Sequence, residues 1–259
     1  VNVDLKDGSQ VAALGLRVAD QALLVTQQLA NGPGEIGYPL ANVQKIEFPE
    51  PTQLATAATL LQQGRAADAL AQAEPVATYY SGLRTVPGNF YLPAMLLKLD
   101  ALAALKREPQ IDAAIQDLAS TPNNPAAIEA ARVRNAEAAV RRGVPAQAEP
   151  VFDEYIKNGT TADTLAHAWF GKGQILMARA DFEPALLAYL HVPALYPDIK
   201  VLMPPALLGG ARAFAGIDNL DRAKETYQRV IAEFPASPEA TDARAELQKL
   251  QKRTATASH

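Results

Sequence analysis

The sequence predicts a mainly α-helical chain that begins with a small all-β region. Two observations carry this. Over residues 1 to 48, apolar residues alternate with polar ones and Gly, Asn and Asp punctuate the runs, the pattern of short strands joined by turns. From Thr52 onward the period changes: apolar residues recur at i, i+3 and i+4 in one segment after another, the pattern of amphipathic helices. The change of period divides the chain into a β unit (1–50), a helical unit (52–253) and a polar tail (254–259) expected to be disordered.

The strands come first. "VNVDL" alternates, "KDGSQ" supplies a turn, and "VAALGLRVAD" and "QALLVTQ" come next; after the turn-rich "ANGPGEIG", "YPLANVQKIEF" closes the region. Four or five short strands suggest a small twisted sheet or partly closed barrel, SH3-like or Sm-like. So small a unit gains stability by packing on the helical unit. "PEP" (49–51) marks the boundary, since proline stops a strand ladder and can open a helix.

The helices come in pairs joined by tight turns: "QQGRAADAL", "KREPQIDAAI", "RRGVPAQAE", "ARADFEPAL" and "GIDNLDRAK". Alanine, the best helix former, is frequent throughout and lets helices approach closely. The small residue early in each second helix recurs as Ala69, Ala114, Ala148, Ala185 and Ala223, at intervals of 45, 34, 37 and 38 residues. This is the mark of an irregular repeat array. The first interval is long because "SGLRTVPGNFY" (81–91) adds a loop, where Gly82, Pro87 and Gly88 disfavour a continuous helix. The expectation is about five helix pairs and a final capping helix, stacked as an α-solenoid.

At residues 166–197 the pattern becomes specific. Trp169, Gly173, Ala185, Tyr189 and Pro197 occupy the offsets of a tetratricopeptide repeat, and the segment resembles that family. The next unit is similar, with Leu207, Ala211, Phe214, Ala223, Tyr227 and Pro235; the unit before keeps Ala136, Gly143, Ala148 and Phe152. The resemblance is strong over residues 126–253, weak over 52–125, and does not touch the β region. It implies a right-handed solenoid in which Gly173 and Ala185 lie where helices cross, Tyr189 and Tyr227 plug the gap to the next pair, and Asp181 and Asp218 supply turn or N-cap oxygens. The 37–38-residue spacing with "YP" and "FPASPEA" also looks like the repeats of bacterial outer-membrane assembly lipoproteins and Tol-Pal coordinators, exported interaction proteins.

Composition limits the chemistry. With 24 basic and 28 acidic residues the net charge is −4, and the β region alone carries −3, which argues against nucleic acid. There is no cysteine, which excludes disulfides and thiolate chemistry. No apolar run approaches the ~20 residues of a membrane helix. The three histidines, His167, His191 and His259, show no ligand spacing, so no metal and no cofactor is expected. "GKG" (171–173) lacks the spacing of a phosphate loop, and its glycines are read as helix-packing residues. Carboxylates such as Asp112, Asp117, Asp153 and Glu154 are read as solvated or paired on helix faces. A start at Val1 is what removal of an upstream signal or lipoprotein peptide would leave, as would trimming; a periplasmic or otherwise exported location is expected, with the cytoplasm as alternative and anchoring through an upstream segment left open.

The function expected from this is non-enzymatic: a scaffold that holds a protein or peptide in a concave groove lined by the first helices of each pair. The repeat pattern places Val133, Glu137 and Arg141, then His167, Phe170, Gln174 and Met177, then Leu208 and Arg212 on that face. The alternative is an enzyme, or a subunit that positions one, with a site where the β region meets the first repeats.

Overall fold

The computed structural model describes residues 1–257, and side-chain surroundings as far as Lys252. The chain is mainly helical behind a small N-terminal β region. Six strands, rather than four or five, form two three-stranded antiparallel sheets. In the first, β1 (Asn2–Leu5) lies between β2 (Gln10–Ala12) and β6 (Val43–Glu47), with a register shift at Asp4/Leu5. In the second, β4 (Ala22–Leu29) lies between β3 (Gly15–Ala19) and β5 (Gly32–Pro39). Alternation works as the sequence implies: Val3, Leu23 and Val25 point inward and are fully buried.

Eleven α-helices complete the chain among the described residues. They are α1 (Thr52–Gln62), α2 (Ala66–Ser81), α3 (Tyr91–Ala104), α4 (Glu108–Ala119), α5 (Pro125–Arg141), α6 (Pro145–Asn158), α7 (Ala162–Ala178), α8 (Phe182–Leu195), α9 (Met203–Gly216), α10 (Leu220–Glu233) and α11 (Pro238–Ala257). Each packs on the next, and the odd-numbered helices also pack side by side, from α1 on α3 through to α9 on α11. None is long and apolar enough to cross a membrane. The last helix runs to Ala257, so its backbone takes up residues 254–257 of the expected disordered tail; 258 and His259 lie outside the described residues.

The break between α2 and α3 is the longest in the helical part. It is anchored rather than loose. Leu83 and Val86 are buried in one continuous core that joins Val3, Leu23 and Ile46 to α1–α5. Asn89 pins the backbone, donating to the Val86 carbonyl at 2.6 Å and accepting from the Tyr91 N–H at 2.8 Å. Edge-to-face contacts of Tyr80 with Phe48 and Phe90 tie the β region to the same core.

The "GKG" glycines lie inside α7, not in a loop. A Cβ on Gly171 would stand 2.3 Å from the Phe152 ring, and one on Gly173 2.9 Å from Tyr189. The same Tyr189 ring rests on Gly209 of α9, so α7, α8 and α9 meet across one aromatic plug. Lys172 binds Glu149 and Asp153 of α6 at 3.0 and 2.8 Å. Two capping expectations fail. Asp181 stands at the start of α8 without a side-chain cap bond, and Asp218 adopts a left-handed backbone (φ 60°) one residue too early; Asn219 caps α10 instead.

The two ends of the helical array approach each other. The Gln62 amide donates to the Lys200 carbonyl at 3.0 Å, and Gly64 abuts the Pro238 ring, leaving no room for a Cβ. The inner face of the odd-numbered helices is thereby turned toward a common centre.

Candidate binding cavity

At that centre lies a cavity of about 540 Å³. Its walls come from the α1–α2 turn, α3, α5, α7, the turn leading into α9, and the start of α11. The size is that of a pocket for a small ligand or a short segment of chain. Five of the residues assigned to the inner face from the sequence line it: Glu137, Arg141, His167, Phe170 and Gln174. The other four do not. Val133 is buried in the α5–α6–α7 core and Leu208 in the α9–α10–α11 core. Met177 packs beside Leu186 and Tyr189. Arg212 turns toward α11, where it binds Glu246 at 2.6 Å and Asp242 at 3.2 Å.

One wall carries a buried charge cluster that the sequence pattern does not reveal. Arg134, with its side chain only 5% exposed, donates through Nη1 to Asp100 of α3 at 2.7 Å and through Nη2 to Asp163 of α7 at 3.2 Å, with Glu137 at 3.4 Å. His167, 3% exposed, places Nδ1 2.7 Å from Glu137 Oε1 and 2.6 Å from Arg134 Nη1. That nitrogen accepts from Arg134 when bare and donates to Glu137 when it carries the proton, so protonation selects the partner. Asp100, Glu137 and Asp163 therefore converge on Arg134 and His167, contrary to the expectation that carboxylates lie on solvated faces.

Local sequence explains the convergence. Arg134, Glu137 and Arg141 stand at i, i+3, i+7 spacing on α5; Asp163, His167, Phe170 and Gln174 stand at i, i+4, i+7, i+11 on α7. Each set forms one helix face. Extending the inner stripe by one turn from Glu137 and from His167 would have found Arg134 and Asp163. Asp100 had no such signal, because repeat landmarks are weak before residue 126.

The electrostatics stem from burial. Burial raises the Asp100 carboxyl, and Arg134 opposes this only in part. Burial would raise Glu137 too, but His167 and Arg134 overcome it and hold its pKa at about 2. For His167, burial and Arg134 favour the neutral ring, yet Glu137 and Asp163 outweigh them and its pKa is raised. Two buried nitrogens, Arg134 Nε and His167 Nε2, have no hydrogen-bond partner among the described residues. A buried polar atom left so is costly. No group of three or more His, Asp or Glu is disposed to hold a metal ion among the described residues, and the Arg134 guanidinium fills the point where the carboxylates meet.

The remaining histidine candidate is structural. His191 stacks on the partly buried Trp169, ring centroids 3.9 Å apart and nearly parallel, and bonds the Leu187 carbonyl. The carboxylates singled out from the sequence pair locally: Asp112 with Arg142, Asp117 with Arg84, Asp153 with Lys172, and Glu154 with Arg132. In comparisons with known proteins, no protein-family model and no curated protein matches the chain.

Proposed function

We propose that this protein is a non-enzymatic interaction scaffold, a tetratricopeptide-like α-solenoid that holds a segment of a protein partner in its central cavity. The observation that carries the reading is that inner-face residues of α3, α5 and α7 line one shared cavity. Side-by-side packing of the odd-numbered helices supports the solenoid geometry, in which first helices form the concave face. An apolar wall with a few polar groups suits recognition of a peptide segment. The enzymatic alternative has less support. Among the described residues lining the cavity there is no Ser, Thr, Tyr or Lys to act as nucleophile, and the converging carboxylates are held by Arg134.

The test fills the cavity without touching the core. Ala104 is exposed at the end of α3 and lines the cavity, so Ala104→Trp occupies it from the rim. Wild-type and variant protein would be used to capture partners from a lysate of the native cell, with circular dichroism to verify that both are folded. The expected result is a protein retained by wild type and lost by the variant. The same proteins retained at equal yield by a folded Ala104→Trp variant would refute the reading.

A further inference from the structure

Taking the cavity as the partner-binding site, we infer that its occupant is an uncharged, apolar peptide segment whose main-chain carbonyl accepts a hydrogen bond at the His167–Arg134 end. Three features of the cavity lead there. Most of the wall is apolar: Leu61, Leu99, Leu105, Ile111, Phe170 and Leu202 contribute to it. Such a wall favours apolar side chains.

The second feature is the pair of unpartnered nitrogens. Arg134 Nε carries a proton at any pH a protein experiences, so it can only donate. His167 Nε2 is also a donor when the ring is protonated. Both belong to nearly fully buried side chains of cavity-lining residues. What they lack is an acceptor, which an amide carbonyl supplies.

The third is charge. With all three carboxylates ionised and His167 protonated, the Asp100–Arg134–Glu137–Asp163–His167 cluster sums to −1. An anionic ligand is repelled by it. A cationic one finds each carboxylate engaged already and the Arg134 guanidinium in its way. A neutral acceptor meets neither obstacle. The rim then suits a chain that continues outward: Arg65 and Arg141 balance Asp68 and Glu239 around the opening. Polar main chain leaving the cavity thus passes a mixed and balanced surface, where an acyl chain would gain nothing.

The experiment is calorimetric titration with three probes: the pentapeptide acetyl-Ala-Leu-Val-Leu-Ala-amide, the same peptide with Glu at the centre, and decanoate. The neutral peptide should bind at least tenfold more tightly than either of the others. His167→Asn is the second arm. Its amide can keep a hydrogen bond to Glu137 from the Nδ1 position while Nε2 is removed, and it should weaken the neutral peptide about tenfold; Ala104→Trp should abolish binding. Tighter binding of the Glu peptide or of decanoate would overturn the inference, as would undiminished affinity in a folded His167→Asn protein. Absence of binding by all three probes would overturn it too. The scaffold reading is judged separately, by whether Ala104→Trp loses the native partner, so either conclusion can fail without the other.

Discussion

Two arginines on inner-face helices meet opposite fates. Arg134 on α5 is buried against Asp100, Glu137 and Asp163, and its cluster leaves Arg134 Nε and His167 Nε2 unpartnered at a cavity. Arg212 on α9 keeps 39% of its side chain exposed and binds Glu246 and Asp242 of α11, while Glu246 also accepts from the Tyr227 hydroxyl at 2.6 Å. No buried atom of the second cluster lacks a partner among the described residues. The second cluster therefore works as a clamp between α9 and α11. The first is over-buried and under-satisfied, the condition under which a polar group is retained for binding rather than for stability.

The sharpest way to break this comparison is to remove each guanidinium in turn. Arg134→Met would strand three carboxylates in a buried site and should cost about 3–5 kcal/mol. Arg212→Met removes a half-exposed pair and should cost about 1 kcal/mol or less. Urea denaturation of both variants measures the difference. Equal losses would mean that the two clusters do the same job.

How far the sequence could anticipate this contrast depends on the helix considered. Period alone located the switch at Pro49–Pro51 and the helical faces, because a helix buries one stripe whatever its neighbours are. The stripe placed Glu137, His167 and Phe170 facing inward, and they line the cavity. It could not say which inward positions reach a cavity and which meet another helix: Val133 and Leu208 share the stripe but lie under a neighbouring helix. Nor could it find the closure. The contact of Gly64 with Pro238 joins residues far apart in the chain, and nothing local in either sequence encodes it. Asp100 was illegible for the same reason, since its partners lie on α5 and α7.

Close helix packing around the second region offers the next test. Tyr189 lies against Gly173 on one side and Gly209 on the other, with no space for a Cβ at either. Gly209→Val should force the ring aside and cost about 1–3 kcal/mol. Gly143 carries a left-handed φ of 79° with open space around it, so Gly143→Asn, which tolerates that conformation, should be nearly neutral. Thermal melts of the two proteins decide it. A Gly209→Val protein as stable as wild type would show that α7, α8 and α9 can separate without loss.

The smallest expected effect is the dependence of stability on pH, and it probes the first cluster alone. His167 is faced by Glu137 and Arg134 from α5, Asp163 from its own helix and Asp100 from α3. Burial and Arg134 favour the neutral ring, but Glu137 and Asp163 prevail and the folded-state pKa is raised above its ordinary value near 6.5. A raised histidine pKa means that the folded state holds the proton more tightly than the unfolded one. The stabilisation is complete below about pH 6.5 and is lost as pH rises through the higher folded value, with about 1.4 kcal/mol for each tenfold difference in proton affinity. On the acid side two carboxyls oppose each other. Glu137, held at about 2, loses its contribution as pH falls from about 4.5 toward 2, while Asp100, raised by burial, gains from protonation over part of the same range. The alkaline limb is therefore the cleaner one. The melting temperature of wild type should fall between pH 6 and pH 9, and that of His167→Asn should fall less. A wild-type protein equally stable at both ends, or a variant with the same decline, would mean that His167 does not take up its proton from this cluster. The protonation choice between Glu137 and Arg134 would then have no energetic consequence.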